Sequence, residues 1–507
     1  MPKNKIQIVW FKRDLRIIDH RPIFEASINS IPTLPIYIVE TDYWKQPFAS
    51  KRHWCFIHDC LIDLRKDLKN IGQSLIVRSG SIKKIFEELS YHYNIKSILS
   101  HEETGNQWTY DRDKSIQNWC FQNNIPFTEF PSNGIVRRLK NRSEWSKIRN
   151  SRMKEKLVSA PTNLIPIVGI EEGIIPPKDD TVFENNYRGI VQKGGRSQVL
   201  KIMESFLSYR GKNYTHNISK PGISEQTCSR LSPHLTWGTI SSKEILQLLS
   251  SKRKALLEDD KKNWKKNLSS IISRLSWRCH FIQKLESQPA IEYSCMHSFY
   301  NGLRENNFNV EYYNAWKKGH TGYPFVDACM RSLNYNGWIT FRMRAMLVSF
   351  ASYDLWLDWR ETGHHLAQTF TDYEPGIHYS QLQMQSGVTG INTFRIYNPV
   401  KQSMDHDPNG KFIKKWLPEL KKVPDIWIHE PWKMDLYTQK KINCLIGKDY
   451  PKPIVDHFDA IKQAKSKLAI VLNKDSYRKV SKIVLNKLGS KRVKKNKKNR
   501  DNQLQLI

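Results

Sequence analysis

The sequence lacks the features that place a protein in a membrane or outside the cell. No run approaches the roughly 20 consecutive apolar residues that a transmembrane helix needs. Its 8 cysteines are scattered singly along the chain, with no Cys-x-x-Cys spacing. They indicate the free thiols of a reducing compartment, and neither a disulfide framework nor a zinc site. We therefore expect a soluble, cytoplasmic protein without a metal site.

Acidic residues are scarce relative to basic ones. The chain has 81 Lys and Arg against 49 Asp and Glu, which gives a formal net charge of +32. An excess of this size favours a polyanionic partner such as nucleic acid, because neutralising phosphates releases their condensed counterions. The alternative is a lysine-rich surface that only keeps the protein soluble.

The first 130 residues alternate between strand-like and helix-like patterns. Apolar residues recur at helical spacing over residues 61–71 and 82–91, between short apolar runs. This alternation predicts βαβ units and a parallel sheet covered on both faces. No Gly-x-Gly-x-x-Gly follows the first run, which disfavours a dinucleotide site there. The predicted strands are residues 6–10, 33–40, 74–77 and 97–99.

The rest of the chain divides into three further segments. Residues 131–195 carry scattered Pro, Gly and Asn with basic clusters, which predicts a connector on the surface. Residues 196–480 are mostly helical in pattern. Residues 481–507 form a basic tail that we expect to be disordered. The helices predicted between 196 and 480 include 242–250, 268–285, 326–335 and 340–360.

Aromatic, glycine and arginine residues are unusually dense between Trp316 and Pro418. The phrases there, in order, are W-K-K-G-H-T-G-Y-P-F-V-D-A-C-M-R, G-W-I-T-F-R-M-R, L-D-W-R, T-D-Y-E-P-G-I-H and F-R-I-Y-N-P-V-K-Q. This order resembles the flavin-binding domain of the DNA photolyase and cryptochrome family. The resemblance implies an α/β N-terminal Rossmann-like parallel-sheet domain and a large all-α FAD-binding C-terminal domain.

The opening phrase W-F-K-R-D-L-R-I-I-D-H, residues 10–20, also resembles photolyases, whose α/β domain holds a light-harvesting antenna pigment. Alone, it would indicate only a charged loop after a strand. Related proteins place a glutamate that binds a folate antenna where this chain has Thr109. A folate is therefore disfavoured, and a deazaflavin, a flavin or no second chromophore at all stays open.

The resemblance assigns a set of residues to the FAD. The phrase C-S-R-L-S-P resembles the segment that wraps the flavin diphosphate, where a Ser hydroxyl and backbone amides donate to phosphate and an Arg balances its charge. An Arg–Asp pair is implied against the isoalloxazine ring, although a structural salt bridge between helices is the plainer interpretation. The implied cofactor residues are Tyr214, Cys228, Ser229, Arg230, Leu231, Ser232, Arg278, Arg344, Asp372, Tyr373, Glu374 and His378.

A second set is implied to contact DNA. The resemblance places Trp277 at the mouth of the cavity, where it can stack on an extruded base. Two positions depart from the standard enzyme: Thr340-Phe341 replaces a lesion-facing His-Asn pair, and Arg274 replaces a glutamate that bonds the damaged base. The implied DNA-contacting residues are Arg274, Trp277, Phe341, Arg342, Arg395 and Gln402.

Photoreduction of FAD in the family runs through three tryptophans, and here only the middle one, Trp359, is retained. Leu382 and Asn306 stand at the other two sites. Trp356, Trp338, Tyr353 and Tyr379 offer another route, or are simply core. His378 falls beside the expected flavin N5, so we expect it to titrate near neutrality and act on the flavin, unless it is a satisfied core histidine. Trp359 and His378 are thus the candidate catalytic residues.

Three functions remain in competition. The leading one is a monomeric, FAD-dependent enzyme that uses blue light to repair pyrimidine dimers in damaged DNA. The second is a cryptochrome-like blue-light receptor that binds FAD without repairing DNA. The third, a nucleic-acid-binding scaffold without flavin, explains the charge but not the residue pattern between 214 and 402.

Overall fold

A computed structural model of the chain describes residues 3–183, 189–306 and 308–490. Its N-terminal part is a sheet of five parallel strands in the order β3-β2-β1-β4-β5. The sequence predicted the first four strands, but it missed the last one, because that strand is only half-buried and lacks an apolar run. The strands are β1 Lys5–Phe11, β2 Thr33–Val39, β3 Ile76–Ser79, β4 Asn94–His101 and β5 Phe127–Phe130.

Both faces of this sheet are buried. In β1, Val9 and Phe11 belong to one hydrophobic cluster, while Ile6, Ile8 and Trp10 belong to the cluster on the opposite face. This is why the strand reads as a continuous apolar run. The covering helices are α1 Arg21–Ile28, α2 Thr41–Trp44, α3 Lys51–Lys69, α4 Ile82–His92 and α5 Gln107–Gln122.

The remainder of the described chain is helical. One helix lies in the connector, α6 Trp145–Lys154. The others are α7 Arg196–Ser208, α8 Tyr214–Asn217, α9 Pro221–Thr227, α10 Ser232–Thr236, α11 Ser242–Lys254, α12 Glu258–Ser287, α13 Val310–Lys318, α14 Pro324–Asn336, α15 Phe341–Ser349, α16 Trp359–Thr369, α17 Pro375–Gln385, α18 Pro399–His406, α19 Lys411–Trp416, α20 Leu436–Lys441, α21 His457–Leu472 and α22 Tyr477–Leu488.

The single helix predicted over 340–360 is wrong, because the chain breaks in the middle of it. After α15 the backbone makes a π-turn over Phe350–Asp354, and Trp356 then adopts a left-handed φ of 52°. Asp358 starts α16 by accepting a hydrogen bond from the Arg360 amide at 2.8 Å. Apolar residues continue across the break, so their spacing did not reveal it.

The boundary predicted at residue 481 also falls too early. Helix α22 runs through it to Leu488, and Val484 and Leu488 are buried in the main helical core. Residues 481–488 are therefore not part of a disordered tail. Residues 491–507, which carry most of the basic run, lie outside the described residues.

The two parts of the chain meet where the loop after β1 contacts the loop after α10. The Leu15 amide donates to the Trp237 carbonyl at 3.2 Å, and Arg16 Nη1 donates to the Gly238 carbonyl at 2.9 Å. Gly238 has a φ of 72°, and a Cβ on it would lie 2.5 Å from Asp14 Cα. The close approach of the two backbones therefore requires glycine here.

None of the helices in the described ranges is long and apolar enough to cross a bilayer.

Candidate functional site

Arg344 and Asp372 form a bidentate ion pair between α15 and the loop before α17. Nη1 and Nη2 of Arg344 lie 3.0 Å and 2.9 Å from the two carboxylate oxygens. Arg344 Nε donates to the Ile339 carbonyl at 3.0 Å, which fixes the plane of the guanidinium. Burial opposes ionisation of Asp372, but Arg344 and a hydrogen bond from Ser232 hold its pKa below the ordinary value. The pair is therefore a fixed cation and anion at neutral pH.

Arg230 lies beside this pair with one donor unused. Its φ of 59° is uncommon for a residue with a side chain. The guanidinium stacks 4.1 Å from the Trp338 ring centre, and Nε donates to Gln192 Oε1 at 3.2 Å. Nη1 is buried without a hydrogen-bond partner in the described part of the chain. Since a buried guanidinium donor needs an acceptor, this atom fits one oxygen of an anion such as a diphosphate.

The other residues of the predicted diphosphate segment surround Arg230. Tyr214 and Cys228 are buried, and Leu231 belongs to the same hydrophobic cluster as both. Ser229 is half-buried, and Ser232 starts α10 with its hydroxyl on Asp372. The segment thus connects the ion pair to Arg230. The unpartnered donor of Arg230 and the ion pair of Arg344 and Asp372 fit a flavin dinucleotide.

Arg278 and Glu374 are paired with each other. Arg278 Nη2 lies 2.7 Å from Glu374 Oε2 and also donates to the Leu235 carbonyl at 2.9 Å. On the other side, Arg13 donates to the Tyr373 carbonyl at 2.7 Å. The roles of Arg278 and Glu374 as cofactor residues stay predictions, since each side chain faces a structural partner. Sequence reasoning missed Arg13, although it lies in the opening motif.

Two of the clefts at the carboxyl ends of the strands are lined by Arg13. The larger, of about 560 Å³, is lined by Arg13, His101, Arg278 and Glu374 among others. The smaller, of about 410 Å³, has an aromatic wall that includes Tyr37, Tyr43, Trp44 and Trp237. Ligands of open α/β sheets bind at this edge. Thr109 lies at the start of α5, where its hydroxyl donates to the Asn106 carbonyl at 2.9 Å.

Asp14, His20 and His101 have the spacing of metal ligands but the hydrogen bonds of a structural cluster. His20 Nδ1 accepts the Ile23 amide at 3.2 Å, so its Nε2 carries the proton and donates to Asp14 Oδ2 at 2.9 Å. His101 Nδ1 lies 2.7 Å from the same oxygen. With the His20 lone pair engaged by the helix start, this ring has none left for an ion.

His378 does not titrate near neutrality, so that expectation is wrong. Burial is the main cause that lowers its pKa, to about 3. The hydrogen bond from Nε2 to the Gly363 carbonyl, at 2.9 Å, and the charge of Asp372 work in the opposite direction. The ring also meets Tyr373 and Tyr379 edge-on, with centres 5.1 Å and 5.3 Å away. His378 is therefore neutral at physiological pH and cannot release a proton as imidazolium.

Trp359 is fully buried at the start of α16, and the predicted break in the tryptophan series is visible around it. Leu382 fills the space between α16 and α17, where a Cβ on Gly363 would lie 2.7 Å from its Cδ1. Asn306 is exposed. Trp356 lies between two cations, Arg304 at 4.3 Å and Lys467 at 4.6 Å from its ring centre. These contacts disfavour its oxidation, because nearby positive charge opposes a radical cation.

Trp338 is a core residue, one of the two interpretations given for it, since it is buried in the same hydrophobic cluster as Tyr214 and Cys228, and Arg230 packs on its ring. Gln192, the other partner of Arg230, was missed. It lies in the connector, where no local pattern marks it. Only the fold brings it to the predicted diphosphate segment.

The predicted DNA-contacting residues are half-buried or exposed at the surface. Trp277 stacks on Phe281 with ring centres 5.8 Å apart, and the exposed Arg274 lies 6.0 Å from the Tyr214 ring centre. Arg342 lies 5.9 Å from the Tyr397 ring centre. Arg395 Nη1 and Gln402 Oε1 are buried and have no partner within the described ranges, and Phe341 is half-buried. Unused donors and acceptors of this kind fit a polar ligand.

A parallel α/β domain followed by a helical domain with an Arg–Asp pair and an anion-binding loop defines a flavoprotein of the photolyase type. Residues 7–147 match the family model of DNA photolyase, and residues 271–469 match that of the FAD binding domain of DNA photolyase. The chain belongs to the DNA photolyase and cryptochrome family.

Relatives with different names are similar to the chain over almost its whole length. A cryptochrome DASH from Gloeobacter violaceus is 26% identical over 90% of this chain and 94% of its own. A deoxyribodipyrimidine photo-lyase from Alkalihalophilus pseudofirmus is 28% identical over 91% and 98%. A photolyase structure from Sulfolobus tokodaii with two FAD molecules matches 92% of this chain and 100% of its own, with a TM-score of 0.74 and 26% identity.

Proposed function

We propose that this protein binds FAD and uses blue light to repair UV-induced pyrimidine dimers in DNA by electron transfer. The observation that carries the proposal is the ion pair of Arg344 and Asp372 beside the unused Nη1 of Arg230. It supplies a fixed positive charge for a ring that becomes anionic on reduction and a donor for the diphosphate.

When bound and reduced, FAD supplies the excited electron that splits the dimer and takes it back afterwards. The protein residues bind and position. Arg344 stabilises negative charge on the ring, and Asp372 holds its guanidinium in place. Trp277 offers its face to an extruded base, and Arg342 and Arg395 bind the strand that carries it.

A cryptochrome-like receptor without repair is the second candidate, and two side chains favour it. Phe341 and Arg274 stand where the resemblance places polar contacts to the lesion, so the damaged base loses those hydrogen bonds. The relatives include proteins of both names at similar identity, a cryptochrome DASH at 26% and a deoxyribodipyrimidine photo-lyase at 28%.

The test that separates these functions is dimer repair in light and in darkness. The protein is loaded with FAD, reduced chemically so that the interrupted tryptophan series does not matter, and mixed with an oligonucleotide containing one cyclobutane dimer. If the protein repairs DNA, the dimer disappears in blue light but not in darkness. The Arg344→Gln/Asp372→Asn variant should leave the dimer intact in both conditions. Intact dimers after illumination of the reduced, flavin-loaded protein would contradict it and favour the receptor.

We also propose the aromatic cleft of about 410 Å³ as the place of a second chromophore. Its Tyr and Trp side chains offer faces on which a planar ring can stack. The identity of that chromophore stays open.

A further inference from the structure

The connector and helix α12 bring two largely buried cations together beside Trp277. Arg142 lies in the connector, and its Nη2 donates to His280 Nδ1 at 2.9 Å and to the His280 carbonyl at 3.2 Å. Lys284 follows His280 by one turn of α12 and is only 6% exposed. We call Arg142, His280 and Lys284 the connector site.

No acidic side chain in the described ranges neutralises the connector site. Burial alone lowers the pKa of Arg142, to about 10. Burial and then the charge of Arg142 lower the pKa of Lys284 to about 8. Arg142 Nη1 is buried without a hydrogen-bond partner among the residues that the structure describes. The two cations therefore repel each other and lack counter-charge.

His280 fixes the geometry and adds no charge. Burial, Lys284 and Arg142 lower its pKa to about 2, so the ring is neutral. Nδ1 of the neutral ring accepts from Nη2 of Arg142. This contact holds the guanidinium in place and leaves its Nη1 free for another acceptor. The arrangement resembles an ion-binding site more than a salt-bridge network, because such networks contain both signs of charge.

An aromatic surface adjoins these cations. Trp277 and Phe281 stack at 5.8 Å with their planes 26° apart, and Trp277 meets His280 edge-on at 5.3 Å. Lys284 Nζ lies 5.3 Å from the Phe281 ring centre. Trp277 and Phe281 are both half-buried, so each exposes part of its ring. Cations interleaved with exposed aromatic rings are typical of surfaces that bind single-stranded or distorted nucleic acid.

We propose that Arg142 and Lys284 bind a backbone phosphate of the DNA strand whose base reaches Trp277. The phosphate supplies the missing negative charge and accepts from Arg142 Nη1 and Lys284 Nζ. The connector is thereby a DNA-binding element in addition to its role as a link. This inference rests on DNA as the partner in the proposed function, but it requires neither flavin nor repair.

The test measures affinity for an undamaged duplex in the dark as a function of salt concentration. Lys284→Gln and Arg142→Gln are each expected to reduce the slope of log affinity against log salt by about 1, the value for one lost phosphate contact. Lys284→Arg keeps the charge and should restore the slope. Lys83→Gln on α4, whose side chain is 53% exposed, is the control and should leave the slope unchanged.

A second measurement covers folding and the source of the phosphate. Lys284→Met removes an uncompensated buried charge, so the variant should melt at the same temperature as the wild type or at a higher one. Its slope of log affinity against log salt should fall as in Lys284→Gln. Unchanged slopes in folded Lys284→Gln and Arg142→Gln proteins would overturn the proposal. Stabilisation of the wild type by inorganic phosphate that Lys284→Gln abolishes, with equal DNA slopes, would overturn the DNA assignment in favour of a free anion. Changed slopes in a protein that repairs nothing would leave this inference standing and reject the repair function.

Discussion

Arg342 and Arg344 lie on the same helix but contact different groups. Arg344 points at Asp372 with both terminal nitrogens, whereas Arg342, two positions earlier on α15, lies against Tyr397 and is half-buried. Positions two apart on a helix lie on different faces, so the proposed cofactor contact and the proposed DNA contact are on different faces of α15.

Replacing these arginines should separate flavin binding from DNA binding. Arg344→Gln/Asp372→Asn keeps hydrogen-bonding groups but removes both charges, and we expect FAD affinity to fall by about tenfold or more, since a charge-assisted contact is worth about 1.5–3 kcal/mol. Arg342→Gln should keep the flavin and weaken DNA binding. Flavin content and duplex affinity measured on both variants check this. Equal flavin loss in the two would show that the pair has no specific role.

The buried His378 makes stability depend on pH. Its pKa is 6.5 in the unfolded chain and about 3 in the folded one, so below pH 6.5 only the unfolded chain takes up the proton. The contribution of His378 to the unfolding free energy is therefore complete above pH 6.5. It is lost as the pH falls, and the loss reaches about 2 kcal/mol at about pH 5.

His378→Asn should remove this loss. We expect the unfolding free energy of the variant, measured in urea, to fall less than that of the wild type between about pH 7.5 and about pH 5. The gap, which is the difference between the two unfolding free energies, should change by about 2 kcal/mol over this range. His92→Asn, at an exposed position, is the matched control variant. A constant gap for His378→Asn would mean that His378 has the same pKa in the folded and the unfolded chain, which would contradict its lowered pKa.

Among the elements, the loops after β1 and α10 determine how the sheet and the helical part meet. Their backbones touch at Gly238, and this contact brings Arg13 to the Tyr373 carbonyl, next to Asp372. A residue of the α/β part, Arg13, therefore fixes the backbone beside the proposed cofactor site.

Gly238→Ala should disrupt this junction. The added methyl overlaps the Arg13 carbonyl, so the cost exceeds the left-handed penalty of about 1–2 kcal/mol and includes overpacking of about 1–3 kcal/mol. Gly302→Ala isolates the first term, since Gly302 has a φ of 81° and nothing within 4 Å of an added Cβ. Urea unfolding of both variants checks this. Similar losses of stability in the two would contradict the steric role of Gly238.

On the scale of the whole molecule, the sequence predicted what depends on periodicity and motif. The runs at 6–10 and 33–40 are strands because both faces of the sheet are buried, and Arg344 meets Asp372 as the motif order implies. It did not predict contacts that only the fold creates. Gln192 reaches Arg230 from the connector, Glu374 pairs with Arg278, and burial neutralises His378. None of these leaves a local signal.

The most direct test is the flavin content of the purified protein. We expect a yellow protein with the visible absorption of oxidised flavin, about one FAD per chain after extraction, and loss of this colour in Arg344→Gln/Asp372→Asn and in Arg230→Gln. A folded wild-type protein that is colourless, and that takes up no FAD when it is supplied, would contradict the account.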